Sequence, residues 1–95
     1  ELYLKVIKLD PKDVDTYNDL GLSYYYTGGP DLAINTLRKG TKINPRFQRI
    51  WLSLGFVLGS TGNIEDAKSA LKKAADLNPN NDVGQEAMRI LNQIQ

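Results

Sequence analysis

The residues of this chain best suited to chemistry fall on two stretches of helical spacing, offset from one another by 34 residues. The first carries Asp15, Asn18, Asp19, Leu22, Tyr25 and Tyr26; the second carries Arg49, Leu52, Ser53 and Phe56. At about 100° per residue, Asp15, Asp19, Leu22 and Tyr26 share one side of a helix, with Asn18 and Tyr25 on its flank. Arg49, Ser53 and Phe56 share the matching side of a second helix, flanked by Leu52. Rows of aromatic, aliphatic, amide and charged groups can pack against a polypeptide and hydrogen-bond to it. They are poorly suited to making or breaking bonds. The chain has no histidine and no cysteine, which removes the usual near-neutral general base, the commonest metal ligand and every thiolate nucleophile. It also lacks a glycine-rich phosphate loop, a plausible metal-ligand set and a nucleophile–base pair. These absences argue for recognition without catalysis, and for no metal and no cofactor.

The elements that would position those rows must come from a short chain. Ninety-five residues, with 41% apolar and 24% charged side chains, suit one thin folded domain that buries about 60–65% of its unfolded surface. The net charge of +1 provides no overall field toward nucleic acid or an anionic membrane. Arg38, Lys39 and Lys42, and again Lys68, Lys72 and Lys73, form basic clusters on two further helices. Without interleaved aromatic residues they read as solvated faces that offset helix dipoles, which argues against nucleic acid as a partner. The opening Glu1-Leu2-Tyr3-Leu4-Lys5 does not read as a signal peptide. The longest uncharged run, 50–64, is too short and polar for a bilayer, which takes about 20 apolar residues. The expectation is a soluble protein with the cytoplasm as its compartment, and a chain cut from something longer.

An internal repeat organises the sequence. Leu9-Asp10-Pro11, Ile43-Asn44-Pro45 and Leu77-Asn78-Pro79 recur at a spacing of 34. In the same register Tyr17 falls on Trp51, Leu20 on Leu54, Gly21 on Gly55 and Tyr24 on Leu58. Gly28 falls on Gly62, Ala33 on Ala67, Leu37 on Leu71 and Gly40 on Ala74. Tyr17, Leu20, Gly21 and Tyr24 follow helical i, i+3, i+4, i+7 spacing and predict a buried stripe; Trp51, Leu54, Gly55 and Leu58 predict a second, with Tyr17 and Trp51 in the core. Glycine inside a helix costs about 1 kcal/mol against alanine, so its use there implies close helix approach. Gly28 and Gly62 stand where a helix should stop in a left-handed residue. Pro30 suits the first position of the next helix, and Asn63 is expected to cap the corresponding helix, with Asp66 three residues on.

Residues 1–10 then read as the second helix of an incomplete unit, 14–47 and 48–81 as full helix–turn–helix units, and 82–95 as a final helix. Val83, Ala87, Ile90, Leu91 and Ile94 share that helix's apolar face, while Gln85, Arg89 and Asn92 make its outer side polar, as a terminal cap requires. The pattern resembles the tetratricopeptide repeat (TPR) family across essentially the whole chain, departing from it at Gly40, Leu58 and Pro30. The resemblance implies an all-α superhelix of antiparallel hairpins, a solenoid whose concave side receives a peptide or helix from another protein. It also names positions at which some members grip terminal carboxylates of heat-shock chaperones. Here those positions hold Asn18, Leu22, Ser53, Val83 and Ala87, which lack the basic side chains that role needs.

The expected function is therefore a protein- or peptide-binding adaptor or scaffold whose groove is lined by Asp15, Asn18, Asp19, Leu22, Tyr25, Tyr26, Arg49, Leu52, Ser53 and Phe56. Two alternatives are self-association as a homo-oligomer through Leu2, Tyr3, Val6 and Ile7, and service as the end of a longer array whose other units hold the ligand. About three repeats are generally needed for such a stack, so modest stability is expected.

Overall fold

The computed structural model describes residues 13–94. The expected helix over 1–10, and with it Leu2, Tyr3, Val6 and Ile7, lies outside the described residues. Among the described residues there are five helices and no strand: α1 (Val14–Tyr26), α2 (Pro30–Ile43), α3 (Gln48–Ser60), α4 (Ile64–Leu77) and α5 (Asp82–Ile94). Helix α1 packs on α2, α3 on α4 and α4 on α5, while α1, α3 and α5 neighbour one another in turn. The result is two layers, α1–α3–α5 inside and α2–α4 outside, in an all-α stack of hairpins. Among the described residues no helix is long and apolar enough to cross a membrane.

Local sequence explains where each helix starts and stops. Asp13 caps α1, accepting from the Thr16 amide at 3.3 Å and from the Thr16 hydroxyl at 2.8 Å. Loss of such a cap costs about 1 kcal/mol. Helices α1 and α3 end alike. Gly28 and Gly62 take φ of +89° and +88°, and the next amides, of Gly29 and Asn63, reach back to the carbonyls of Tyr24 and Leu58 at 2.7 and 2.8 Å. Together with Gly28 N–H to Tyr25 and Gly62 N–H to Gly59, these are paired Schellman closures. Pro30 then begins α2 at its first turn, where its missing N–H costs nothing. Asn63 departs from expectation. It occupies the cap position of α4, but its side chain makes no cap bond and instead donates to Thr61 Oγ1 at 2.9 Å. Asp66 is likewise turned outward, to Arg38 at 3.3 Å. Lys42 lies in the last turn of α2, but no cation lies in the last turn of α4; Lys72 and Lys73 sit too early to offset its dipole.

Side-chain volume sets the helix spacing. A methyl group on Gly21 would stand 2.5 Å from Leu37, and one on Gly55 2.6 Å from Leu71, so each hairpin closes a leucine onto bare backbone. Gly40 does the same for Ile50 across the junction between hairpins, and for Tyr17 within its own hairpin. Leu37, Ile50, Val57 and Leu71 are fully buried, and truncating Leu37, Ile50 or Leu71 to alanine should cost about 2–5 kcal/mol. Tyr17 is core as expected, but Tyr24 and Trp51 are only half-buried. Trp51 leans against both core clusters. Its indole N–H must find an acceptor, and it donates to the Pro45 carbonyl at 2.7 Å. That requirement holds the ring at the surface.

A polar clasp fastens the last three helices. Gln48 Nε2 donates to the carbonyls of Ala74 (2.7 Å) and Asn78 (2.8 Å), at the end of α4. Asn81 Nδ2 donates to Gln48 Oε1 at 2.7 Å, and Asn81 Oδ1 accepts from the Gly84 amide at 2.8 Å. Gly84 packs its bare Cα against the Asn78 carbonyl, leaving no room for a side chain.

Candidate functional site

Because α1, α3 and α5 run side by side, residues 34 apart in sequence become neighbours across the inner layer. Leu22 of α1 and Phe56 of α3 stand at matched positions, and the same step reaches Ile90 of α5. All three are half-buried and line a single cleft of about 270 Å³. Asn18, Tyr26, Arg49, Leu52, Ser53 and Glu86 complete its walls. A second hollow, of about 290 Å³, continues from Phe56, Glu86 and Ile90 toward Ile94.

The structure thus brings Asn18, Leu22, Tyr26, Arg49, Leu52, Ser53 and Phe56 together and leaves Asp15, Asp19 and Tyr25 off the cleft lining. Asp15 and Asp19 are exposed on α1. Tyr25 packs edge-on against Phe56 and Tyr26, with ring centroids 5.4 and 5.2 Å apart. It buttresses the two aromatic rings of the lining, an arrangement worth about 0.5–1.5 kcal/mol per pair. Tyr26 itself is 72% exposed. Asn18 and Ser53 are not the solvent-facing groups expected from the helical wheel. They are buried, at 3% and 7% exposure, because the inner helices lie close enough to close over both.

Asn18 is the anomaly of the site. Its Oδ1 is sealed from water and has no hydrogen-bond partner among the described residues. A buried acceptor without a donor costs about 1–3 kcal/mol, so this asparagine works against stability.

Electrostatically the cleft is mixed. Arg49 is its exposed cation and makes no ion pair among the described residues. Glu86 is held by the neighbouring Arg89 guanidinium one turn on. The hydrogen bond from Arg89 keeps the Glu86 carboxyl below its ordinary pKa, and the same bond raises that of Arg89. Among the described residues no group of acidic side chains is arranged to hold a metal ion. The arrangement can pack apolar side chains, donate and accept hydrogen bonds, and pair with charges.

Glu86 and Ile90 were missed from sequence alone, although the signal was present. Shifting Leu52 and Phe56 by one more repeat lands on them. The apolar periodicity places Ile90 on the packing face of the last helix; in the structure it serves both that face and the cleft.

Comparison with known proteins gives a consistent picture. Tetratricopeptide repeat models match residues 2–35 and 48–81. The small glutamine-rich tetratricopeptide repeat-containing protein 2 of Mycosarcoma maydis is 30% identical over 83 residues, covering 87% of this chain and 24% of that protein. Anaphase-promoting complex subunit 3 of Schizosaccharomyces pombe is 30% identical over 79 residues, 83% of this chain and 12% of that protein. The chain therefore spans a quarter or less of these relatives. Among solved structures, the first TPR of Spaghetti (RPAP3) bound to the HSP90 peptide SRMEEVD superposes with a TM-score of 0.87 at 21% identity, covering 97% of this chain and 71% of that one. The Yersinia enterocolitica type III secretion chaperone SycD in complex with a peptide of the translocator YopD gives 0.87 at 23% identity, with 97% and 73% covered.

Proposed function

We propose that this chain, which belongs to the tetratricopeptide-repeat family, is a non-catalytic scaffold that holds a segment of another protein in the cleft between α1, α3 and α5. The observation that carries this reading is the row Leu22, Phe56 and Ile90, half-buried apolar groups at matched positions of three neighbouring helices around one hollow. Single exposed apolar residues are ordinary on a protein surface, whereas a contiguous concave set is a binding feature. Structural relatives with the same fold support it: the Spaghetti domain is seen with an HSP90 peptide and SycD with a YopD peptide. The ligand is expected to differ from the first of these. At the positions that would grip terminal carboxylates stand Asn18, Leu22, Ser53, Val83 and Ala87, and of these Asn18, Ser53 and Ala87 are buried.

The test uses a phage-displayed library of random dodecapeptides against the whole chain. Peptides recovered on the wild-type protein should lose at least tenfold in affinity for the Leu52→Ala, Phe56→Ala double variant, while circular dichroism shows its helix content retained. The peptide SRMEEVD should bind neither protein. Recovered peptides that bind the double variant undiminished would remove the cleft as the binding surface.

A further inference from the structure

We propose that the outer layer carries a second docking surface, the groove between α2 and α4, and that it takes an acidic segment of a partner protein bearing one bulky apolar side chain. This groove and the inner cleft share no lining residue. The two outer helices make no backbone contact with each other, and both rest on α3. Between them lies a hollow of about 450 Å³ floored by α3, roughly fifteen waters at the ~30 Å³ each occupies in the liquid. That holds one large side chain with the backbone on either side of it. Among the described residues the one ion pair across the groove is Arg38–Asp66, at 3.3 Å. Both partners are exposed, and such a pair contributes little and yields readily to a ligand.

The apolar side chain follows from the floor. Leu54 and Leu58 are buried in the core, so the surface left to a ligand is chiefly the half-buried Trp51 ring and the exposed Pro45 beside it. The Trp51 indole N–H is already bonded to the Pro45 carbonyl at 2.7 Å. The ring is therefore an apolar wall without a free donor, suited to an aliphatic or aromatic side chain that brings no polar atoms.

The acidic groups follow from the rims. Lys42 lines the groove on α2. Lys73 stands one turn beyond Ser69 and Ala70, on the side of α4 that they turn to the groove. Both lysines are exposed, and neither forms an ion pair among the described residues. Two acids stand near this rim: Asp66, committed to Arg38, and Asp76, three residues past Lys73. The partial negative charge at the C-terminal end of α2 also opposes an anion, but only as about half a charge. Against these stand the full charges of Arg38, Lys42 and Lys73. The layers differ in the same sense: α2 and α4 carry six cations and four acids, whereas α1, α3 and α5 carry two cations and four acids. The resulting field steers an acidic segment to the outer layer and away from the inner one. Nucleic acid fits less well. A phosphate backbone draws on many cations along its length, and a single half-buried ring is a poor platform for successive bases.

Dodecapeptides displayed on phage and selected on the Leu52→Ala, Phe56→Ala variant, whose cleft is disabled, test the groove by itself. The recovered peptides should combine Leu, Ile, Met or Phe with Asp or Glu a few positions away. Trp51 is the only tryptophan of the chain, so its fluorescence reports on this groove. Titrating the wild-type chain with a recovered peptide that lacks tryptophan should shift its emission. The Lys42→Glu, Lys73→Glu variant, changed only at the surface, should bind that peptide about tenfold more weakly, and replacing the acid of the peptide by Lys should recover most of the loss. Cleft-dependent peptides selected on the wild type should keep their affinity for this variant, so the two surfaces are judged separately. Recovered peptides that bind wild type and the Lys42→Glu, Lys73→Glu variant alike, or that leave the Trp51 emission unmoved, overturn the inference. So does the recovery of no acidic peptide, or a single-stranded oligothymidylate that binds this face more tightly than any peptide recovered.

Discussion

The α1–α2 and α3–α4 hairpins are nearly the same object in backbone and quite different ones in side chains. Each pairs a 13-residue with a 14-residue helix. Each closes the first helix with a threonine whose hydroxyl accompanies its amide onto the same carbonyl, Ser23 or Val57, at 2.9 Å. Each places a leucine on a glycine. Yet where α3 presents Leu52 to the cleft, α1 buries Asn18, and where α4 has Ala74, α2 has Gly40. The comparison separates two kinds of constraint. Turn closures and small-residue contacts admit few alternatives and recur, whereas inward-facing positions vary with what each helix must meet.

The strongest way to break this equivalence is to truncate the matched leucines. Leu37→Ala and Leu71→Ala each open a cavity at a fully buried site and should each cost about 2–5 kcal/mol in urea denaturation. If one of the pair proves nearly neutral, the two hairpins are not packed alike. Exchanging the small residues should sharpen the contrast. Gly40→Ala would drive a methyl group onto Ile50 and should cost about 1–3 kcal/mol by overpacking. Ala74→Gly meets no such clash and should cost about 1 kcal/mol, through helix propensity. The smallest effect concerns the third inner helix, where Glu86 stands at the position of Asn18 and Leu52. Its carboxyl is held below the ordinary range chiefly by the Arg89 hydrogen bond. Its contribution is therefore present above the unfolded pKa and lost as pH falls through the lowered folded value. Because the pair is exposed, the change in melting temperature should be barely measurable. Titration followed by NMR should show Glu86 ionising at lower pH than free glutamate, and Arg89→Ala should abolish that difference.

Much of the scaffold was legible because its determinants are local. A glycine at the end of an apolar stripe implies a left-handed residue, and Gly28 and Gly62 are such residues. Glycine within a stripe implies close approach, and Gly21 and Gly55 receive Leu37 and Leu71. The cleft was legible only in part, since it depends on distances between helices. A helical wheel places Asn18 on the flank of the open face and Ser53 on that face itself, and cannot register that neighbouring helices close over them. Nor does it reveal that Trp51 needs an acceptor for its indole N–H and finds one at Pro45. At the equivalent place in α5, Gln85 donates to the Pro79 carbonyl at the same 2.7 Å. Two unrelated side chains thus satisfy one backbone requirement, a pattern visible only once the acceptors are in view.

The Gln48 clasp gives the stack a mechanical direction. Gln48 ties the last turn of α4 to the segment leading into α5, and the matched residue at the start of α1 is Val14, which can form no such tie. Detaching α5 as an intact helix must break the Asn81–Gln48 link at its start, while Gln48 itself stays fastened to the end of α4. Among the described residues the boundary between the two hairpins has no such amide links and is crossed instead by the exposed Arg38–Asp66 ion pair, so stretching should part the rod there first and release α3–α4–α5 as a block.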